Sequence, residues 1–375
     1  MDFTVTDEQQ AIGELAAKVL TDNVTTDRLR ELEAEPGGLV FDRALWATLA
    51  EANLLGIAVP EAYGGLGFGI VELCQLFEQI GRTVAPVPAV ASLVYGALPV
   101  AQFGSAEQQA ALRPGVVAGT TVLTAALVEP LGDPLRPITT ASAKGAGWVL
   151  DGEKACVPAG LVADRILVSA TTADGIVGLF LIDPAADGVS LERQDTISRI
   201  PEAQLRLTGA PAELVGPLDA VASSVAWTIH HVNVANSSVM VGVAEQALKL
   251  TAEYTTTREQ FERPIATFQA VGQRAANAFI DTEGIRLTTL KAAWTLGDGR
   301  PAGKEVAVAK YFAADAGQRV VRAALHLHGG IGVDRDYPVH RYYVWAKQLE
   351  LTLGGASKQL SDLGRLLADE PVDAA

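Results

Sequence analysis

Thr257-Arg258-Glu259-Gln260-Phe261, followed by Arg263-Pro264-Ile265, and His326-Leu327-His328-Gly329-Gly330-Ile331-Gly332-Val333, followed by Tyr337-Pro338-Val339-His340-Arg341, are the stretches on which the reading of this chain turns. The first closes a long helical tract, where an arginine can clamp a phosphate with two charge-assisted bonds. An ordinary surface salt bridge would use Arg258 equally well. In the second, glycines after a helix permit tight turns and close approach of the backbone to a ligand, although helix termination alone also explains them.

Around these strings the sequence is strongly helical. Apolar periodicity and boundary signals predict tracts from about Leu218 to Thr256, Phe268 to Ala293, Gly303 to His326 and Arg341 to Leu367, the makings of a four-helix bundle. Upstream, from about Thr120 to Gly216, short segments rich in Val, Ile, Thr and Leu read as strands, among them Thr121 to Val128, Ile166 to Ser169 and Ile176 to Ile182. Pro130 to Pro134, Asp151-Gly152, Asp183-Pro184 and Gly209-Ala210-Pro211 punctuate them, as in a predominantly antiparallel sheet. From Thr6 to about Val116 helical spacing returns, with Ile12, Leu15, Val19 and then Phe41, Leu45, Leu49 as candidate core positions, and with breaks at Pro36-Gly37-Gly38 and Tyr63-Gly64-Gly65. The expectation is an α+β protein with a helical domain over 1–118, a middle antiparallel β domain over 119–217 and a four-helix bundle over 218–375.

Composition narrows the partners. With 44 acidic against 29 basic residues the net charge is −15, which disfavours nonspecific attraction to nucleic acid or an anionic membrane surface. Cys74 and Cys156 form neither a C-x-x-C pair nor a disulfide framework, and both suit a reducing cytoplasm as packing residues. His230 and His231 are adjacent and cannot share one helix face, so no metal site is expected there. Gly64-Gly65-Leu66-Gly67-Phe68-Gly69 does not follow a clear strand and gives a dinucleotide-binding fold little support. Neither a signal peptide nor a membrane span is expected.

Together the two opening strings, with Val59-Pro60-Glu61-Ala62-Tyr63-Gly64-Gly65-Leu66-Gly67, resemble the flavin-associated segments of acyl-CoA dehydrogenases, in an order that spans nearly the whole chain. The resemblance implies FAD lying between domains and reaching into a neighbouring subunit. It also implies that Arg258, Phe261, His326, Gly329 and Gly330 contact the adenine and diphosphate of the neighbour's FAD. His326 stands where the family usually has glutamine, and Glu262 where glycine commonly follows the phenylalanine. Gln269 and His328 also belong to family segments and are assigned to packing or loop structure.

The chemistry of the family requires a carboxylate base facing the α carbon while hydride leaves the β carbon. At the two positions where the family places that glutamate, this chain has Leu353, in Ala346-Lys347-Gln348-Leu349-Glu350-Leu351-Thr352-Leu353, and Val232. His230-His231-Val232-Asn233 replaces acidic and arginine residues that hold CoA in many active relatives. The flavin-lining middle segment is altered to Glu153-Lys154-Ala155-Cys156-Val157-Pro158, and after Glu129-Pro130 the string Leu131-Gly132-Asp133-Pro134 is shortened.

These departures resemble the non-catalytic subunits of actinobacterial heterotetrameric steroid side-chain acyl-CoA dehydrogenases. That resemblance implies an α2β2 assembly in the cytoplasm with a catalytic homologue that holds most of the FAD and the acyl-CoA, candidate substrate a steroid side-chain CoA ester, and with an electron-transfer protein as reoxidant. Two other readings remain open. One is an independently active homotetramer with a relocated base, Glu350 or Glu129. The other is a flavin-free scaffold that binds a CoA ester or a protein.

Overall fold

The computed structural model describes residues 4–35, 41–145, 147–219 and 222–369, so the expected break at Pro36-Gly37-Gly38 lies outside the described residues. Helices come first: α1 (Asp7–Asn23), α2 (Thr26–Ala34), α3 (Arg43–Glu51), α4 (Ile70–Thr83), α5 (Leu98–Phe103), entered through a π-helical stretch at Val90–Ala97, and α6 (Ala106–Val117). Strands β1 (Leu123–Ala126), β2 (Thr140–Lys144), β3 (Gly147–Pro158), β4 (Arg165–Thr172), β5 (Val177–Ile182), β6 (Val189–Gln194) and β7 (Glu202–Asp219) follow. The chain then returns to helix in α7 (Ser223–Thr257), makes a small ribbon of β8 (Glu259–Gln260) and β9 (Arg263–Pro264), and ends in α8 (Gln269–Gly297), α9 (Gly303–His328), α10 (Val339–Leu351) and α11 (Ala356–Ala368). No helix among the described residues is long and apolar enough to cross a membrane.

Contacts gather these elements into two compact units, each built from separate stretches of sequence. One holds the chain up to Leu29, Ile70–Ala85 and everything from Asn233 onward. Its first helix starts at a reciprocal cap: the Thr6 hydroxyl accepts from the Gln9 amide while the Gln9 side chain accepts from the Thr6 amide. The buried stripe of α1 is Ile12, Ala16 and Leu20, four residues apart, whereas Leu15 is 42% exposed, so the expected stripe through Leu15 and Val19 is rotated by part of a turn. Helix α4 lies backbone to backbone against α7. A Cβ on Gly81 would sit 2.0 Å from the Val239 carbonyl oxygen, and one on Gly242 would sit 1.9 Å from that of Glu78. The Ser238 hydroxyl donates to the Cys74 carbonyl at 2.8 Å across the same crossing. Beside it, Arg82 and Arg286 share Glu78 and Glu245 at 2.6–2.9 Å, joining α4, α7 and α8 in one ionic network.

The last expected helix is two. After Leu351 the backbone turns at Leu353 (φ 54°) and Gly354 (φ 98°), and α11 begins only at Ala356. Left-handed backbone at two successive residues ends a helix, and Gly354 makes the turn tolerable.

The other unit holds Arg30–Gly69 and Pro86–Val232. Its strands pair β4-β2-β3-β7-β5, and β5 pairs again with β4, so the sheet closes on itself around Leu150, Val157, Ile166, Val168, Phe180 and Leu205. Most pairings are antiparallel as expected, but β1 and β2 each run parallel to β4, because the β2–β3 hairpin intervenes in sequence and returns the chain in the same direction. Asp151-Gly152 and Gly209-Ala210-Pro211 do not end strands. They bend β3 and β7, which continue through them with a bulge at Leu150/Gly152.

Candidate functional site

The end of α7 and the end of α9 meet through aromatic rings. Tyr254 stacks on His328 with centroids 4.6 Å apart, and Tyr337, beyond the glycine loop, sits 5.2 Å from His328. Arg258 follows one helical turn later, its amide donating to the Tyr254 carbonyl at 2.8 Å. The histidine Nδ1 pairs with the Ala324 carbonyl at 2.8 Å, and Nε2 is buried without a hydrogen-bond partner. Burial lowers the His328 pKa, so the ring is neutral at pH 7. His328 thus packs as expected, and the same packing brings the Arg258 string beside the glycine string.

Both strings face outward. Arg258 and His326 are exposed, Phe261 is 87% exposed, and an added Cβ at Gly329 or Gly330 would meet nothing within 4 Å. The β8–β9 ribbon turns on Phe261 (φ 53°) and Glu262 (φ 63°), a two-residue loop with both residues left-handed. Glu262, standing where glycine was expected, therefore keeps the tight turn at a conformational cost of about 1–2 kcal/mol. Arg263 lies over the Phe268 ring at 4.2 Å. Gln269, assigned to packing or loop structure, is exposed as the first residue of α8, where the helix has barely left the turn. An exposed guanidinium, an exposed aromatic ring and open glycine backbone on one face suit an anionic dinucleotide presented from outside.

The expected base positions hold hydrocarbon. Leu353 is 8% exposed in the break between α10 and α11. Just before it, Lys310 of α9 is fully buried and donates from Nζ to the carbonyls of Leu349 and Glu350, capping the end of α10. Burial pushes the lysine down to about 7, with the Glu350 charge opposing. Lys310 escaped notice in sequence, although a lysine on the buried stripe Val306, Ala309 and Ala313 was its signal. The Glu350 carboxylate itself pairs with Lys347.

In the β-containing unit Val232 is fully buried. The adjacent His231 stacks on Trp227 at 3.6 Å, its Nδ1 within 2.8 Å of the Trp227 carbonyl, and burial pushes it to about 4. Glu129 is sequestered too. It accepts from Lys154 Nζ at 2.8 Å, from the Thr139 amide and hydroxyl at 2.8 and 2.6 Å, and from the Ile138 amide at 2.6 Å. Burial alone would raise its pKa, but Lys154 and these donors outweigh that and hold it below the usual carboxylate range. Lys154 also donates to Ser169 at 3.0 Å. A carboxylate so occupied has little basicity left for substrate.

Cys74 is buried and burial raises its thiol to about 12, in keeping with a packing role. Cys156, expected to pack as well, is exposed, because β3 bulges outward there with φ 53°. Burial of part of the side chain, followed by Glu202, pushes its thiol up to about 11, away from nucleophilic character. Among the described residues no three His, Cys, Asp or Glu side chains are grouped to hold a metal ion.

Residues 6–120 match the acyl-CoA dehydrogenase N-terminal domain and residues 223–367 match the acyl-CoA dehydrogenase C-terminal domain. The chain belongs to the acyl-CoA dehydrogenase family, with its helical N-terminal, central β and helical C-terminal parts. Within it, the chain is 40% identical to acyl-CoA dehydrogenase FadE27 of Mycobacterium tuberculosis, over 99% of this chain and 100% of that protein. Among solved structures, it is similar to the Tcur3481-Tcur3483 steroid ACAD (TM-score 0.92, 45% identity, covering 98% of this chain and 99% of that one). It is also similar to the ChsE4-ChsE5 complex from Mycobacterium tuberculosis (TM-score 0.93, 40% identity, covering 99% and 100%). The resemblance to steroid acyl-CoA dehydrogenase subunits therefore holds.

Proposed function

We propose that this chain is the non-catalytic, FAD-completing subunit of a heteromeric acyl-CoA dehydrogenase that introduces an α,β double bond into a CoA thioester. The observation that carries the proposal is a contrast within one chain. The outward face keeps Arg258, Phe261, His326, Gly329 and Gly330, whereas both base positions are apolar and the acids nearest in role, Glu350 and Glu129, are held in ion pairs. Flavin supplies the hydride acceptor when bound. Arg258 would neutralise diphosphate charge, the two glycines would let the backbone approach it, and Phe261 would cover the adenine. The partner chain would supply the carboxylate and the acyl pocket, and an electron-transfer protein would serve as reoxidant. The similarity to the Tcur3481-Tcur3483 steroid ACAD and to the ChsE4-ChsE5 complex supports a heteromer with a steroid side-chain CoA ester as its substrate. The same reading places domain boundaries at 118/119 and 217/218 and the assembly in the cytoplasm.

Arg258→Ala tests the proposal in the complex purified with its catalytic partner. Losing a charge-assisted contact to diphosphate should weaken FAD retention by about tenfold or more, while subunit association persists. Unchanged FAD content and affinity would remove Arg258 from the cofactor surface. Steady-state turnover by the rigorously purified chain alone would overturn the non-catalytic role.

A further inference from the structure

Both ligand-facing strings are tied to one side chain, that of His328, the last residue of α9 and only 3% exposed. Tyr254 stacks on its ring with planes 23° apart, Tyr337 meets it at 57°, and the two tyrosines lie 6.4 Å from each other, so the three rings form one closed cluster. The glycine loop folds back onto the same residue: a Cβ added to Gly332 would sit 3.1 Å from the His328 Cβ and 3.0 Å from the Leu325 carbonyl oxygen. Tyr337 returns to the cluster through a turn in which its amide donates to the Asp334 carbonyl at 3.2 Å. On the α7 side, the Tyr254 carbonyl accepts from the Arg258 amide and the Arg258 carbonyl accepts from the Ile265 amide, each at 2.8 Å. The backbone of Arg258 is thereby fixed to the stacked turn of helix at one end and to the β8–β9 ribbon at the other.

The ring itself is held on one edge. A carbonyl only accepts, so the bond to Ala324 puts the proton on Nδ1 and leaves Nε2 a buried acceptor without a donor. An orphaned acceptor costs stability that a phenylalanine of similar shape would not lose. What histidine adds is the Nδ1 bond, which sets the plane of the ring against the last turn of α9.

We infer that His328 is a positioning residue for FAD: through Tyr254, Tyr337 and Gly332 it fixes the spacing between the Arg258 guanidinium and the Gly329-Gly330 backbone, so that both meet one diphosphate. The inference rests on the cofactor surface proposed above and deepens it. Donors that converge on one anion lose most of their value when displaced by a fraction of a bond length, so the residue that sets their spacing controls affinity without touching the ligand.

FAD titrated into the deflavinated complex, purified with its catalytic partner and followed by flavin fluorescence, tests the role, with denaturation midpoints of the flavin-free complex measured alongside. His328→Ala should weaken FAD binding by about tenfold. His328→Phe, which keeps a ring in the cluster, should bind within about threefold of the wild type. In an Arg258→Ala background His328→Ala should add less than about threefold, because the ring acts through groups that include the arginine. Tyr337→Ala removes one ring from the loop side and should weaken FAD in the same direction, and it replaces His328→Ala should that variant fail to assemble. Wild-type FAD affinity in the variant that assembles would overturn the inference while leaving the proposed function standing. So would a full loss on His328→Ala that persists undiminished beside Arg258→Ala, since a residue acting only on stability adds independently. Unchanged FAD affinity in Arg258→Ala alone would instead remove the cofactor surface, and the inference with it.

Discussion

At the scale of single residues, Glu129 illustrates how an acid suggested by sequence as a substitute base becomes a structural anchor. Its partner Lys154 is fully buried, and burial pushes the ammonium down to about 8 against the pull of Glu129. Glu129→Gln would leave that ammonium without its counter-charge, a loss of about 3–5 kcal/mol. The pH dependence has a definite sign. A carboxyl held below its ordinary 4.5 contributes stability that is complete above that value and is lost as pH falls through the lower folded value. Urea unfolding at a series of pH values should show a steeper acid decline for the wild type than for Glu129→Gln; parallel declines would mean the pair contributes nothing. Arg258, Phe261, Leu353 and Val232 could be singled out in sequence by their spacing from recognisable strings. The sequestration of Glu129 was not, since its donors at Ile138, Thr139 and Lys154 come from separate strands and loops that only folding brings together.

Elements were read best where a single period runs unbroken. The tracts of α7, α8 and α9 were placed within a few residues, because three or more turns of apolar spacing average out local exceptions. The break at Leu353 was missed for the opposite reason: apolar residues continue across it, and the deciding feature is backbone dihedral angle, which a leucine does not advertise. Continuous strands were likewise divided on paper at Gly152 and Gly209, where glycine bends rather than terminates. The α4–α7 crossing was invisible, since an isolated helical glycine ordinarily only weakens a helix. Here Gly242 is where two backbones touch, with the Glu78 carbonyl oxygen 1.9 Å from any added Cβ. Gly242→Ala must push the helices apart, disturbing the Ser238–Cys74 bond and the Arg82–Glu245 pair with it. The expected cost is about 1–3 kcal/mol, read as a lowered midpoint in chemical denaturation. A change below about 0.5 kcal/mol would show that the helices tolerate separation there.

At the scale of the whole molecule, the proposed division of labour pairs this chain, with apolar residues at both expected base positions, with a chain that carries the complementary inventory. Phe279, Ile280 and Leu287 on α8 are 52–67% exposed, apolar groups that a neighbouring chain could cover. Co-expression with an acyl-CoA dehydrogenase homologue that retains its catalytic glutamate should therefore yield stable, flavin-loaded protein, and expression alone should not. The expected assembly has two copies of each chain, with about two FAD per tetramer instead of the four of a homotetramer. Light scattering gives the mass, denaturing chromatography the subunit ratio and flavin absorbance the cofactor count, all on one co-purified sample. Steroid side-chain CoA esters are the first substrates to try, with medium-chain acyl-CoA for comparison. On the proposed function, turnover should appear only in the mixed assembly, with the partner's carboxylate taking the proton and Arg258 helping to retain FAD. A homotetramer of this chain holding four FAD and oxidising acyl-CoA unaided would show that a base lies among residues the ion pairs were thought to occupy, and would end the division of labour proposed for the two chains.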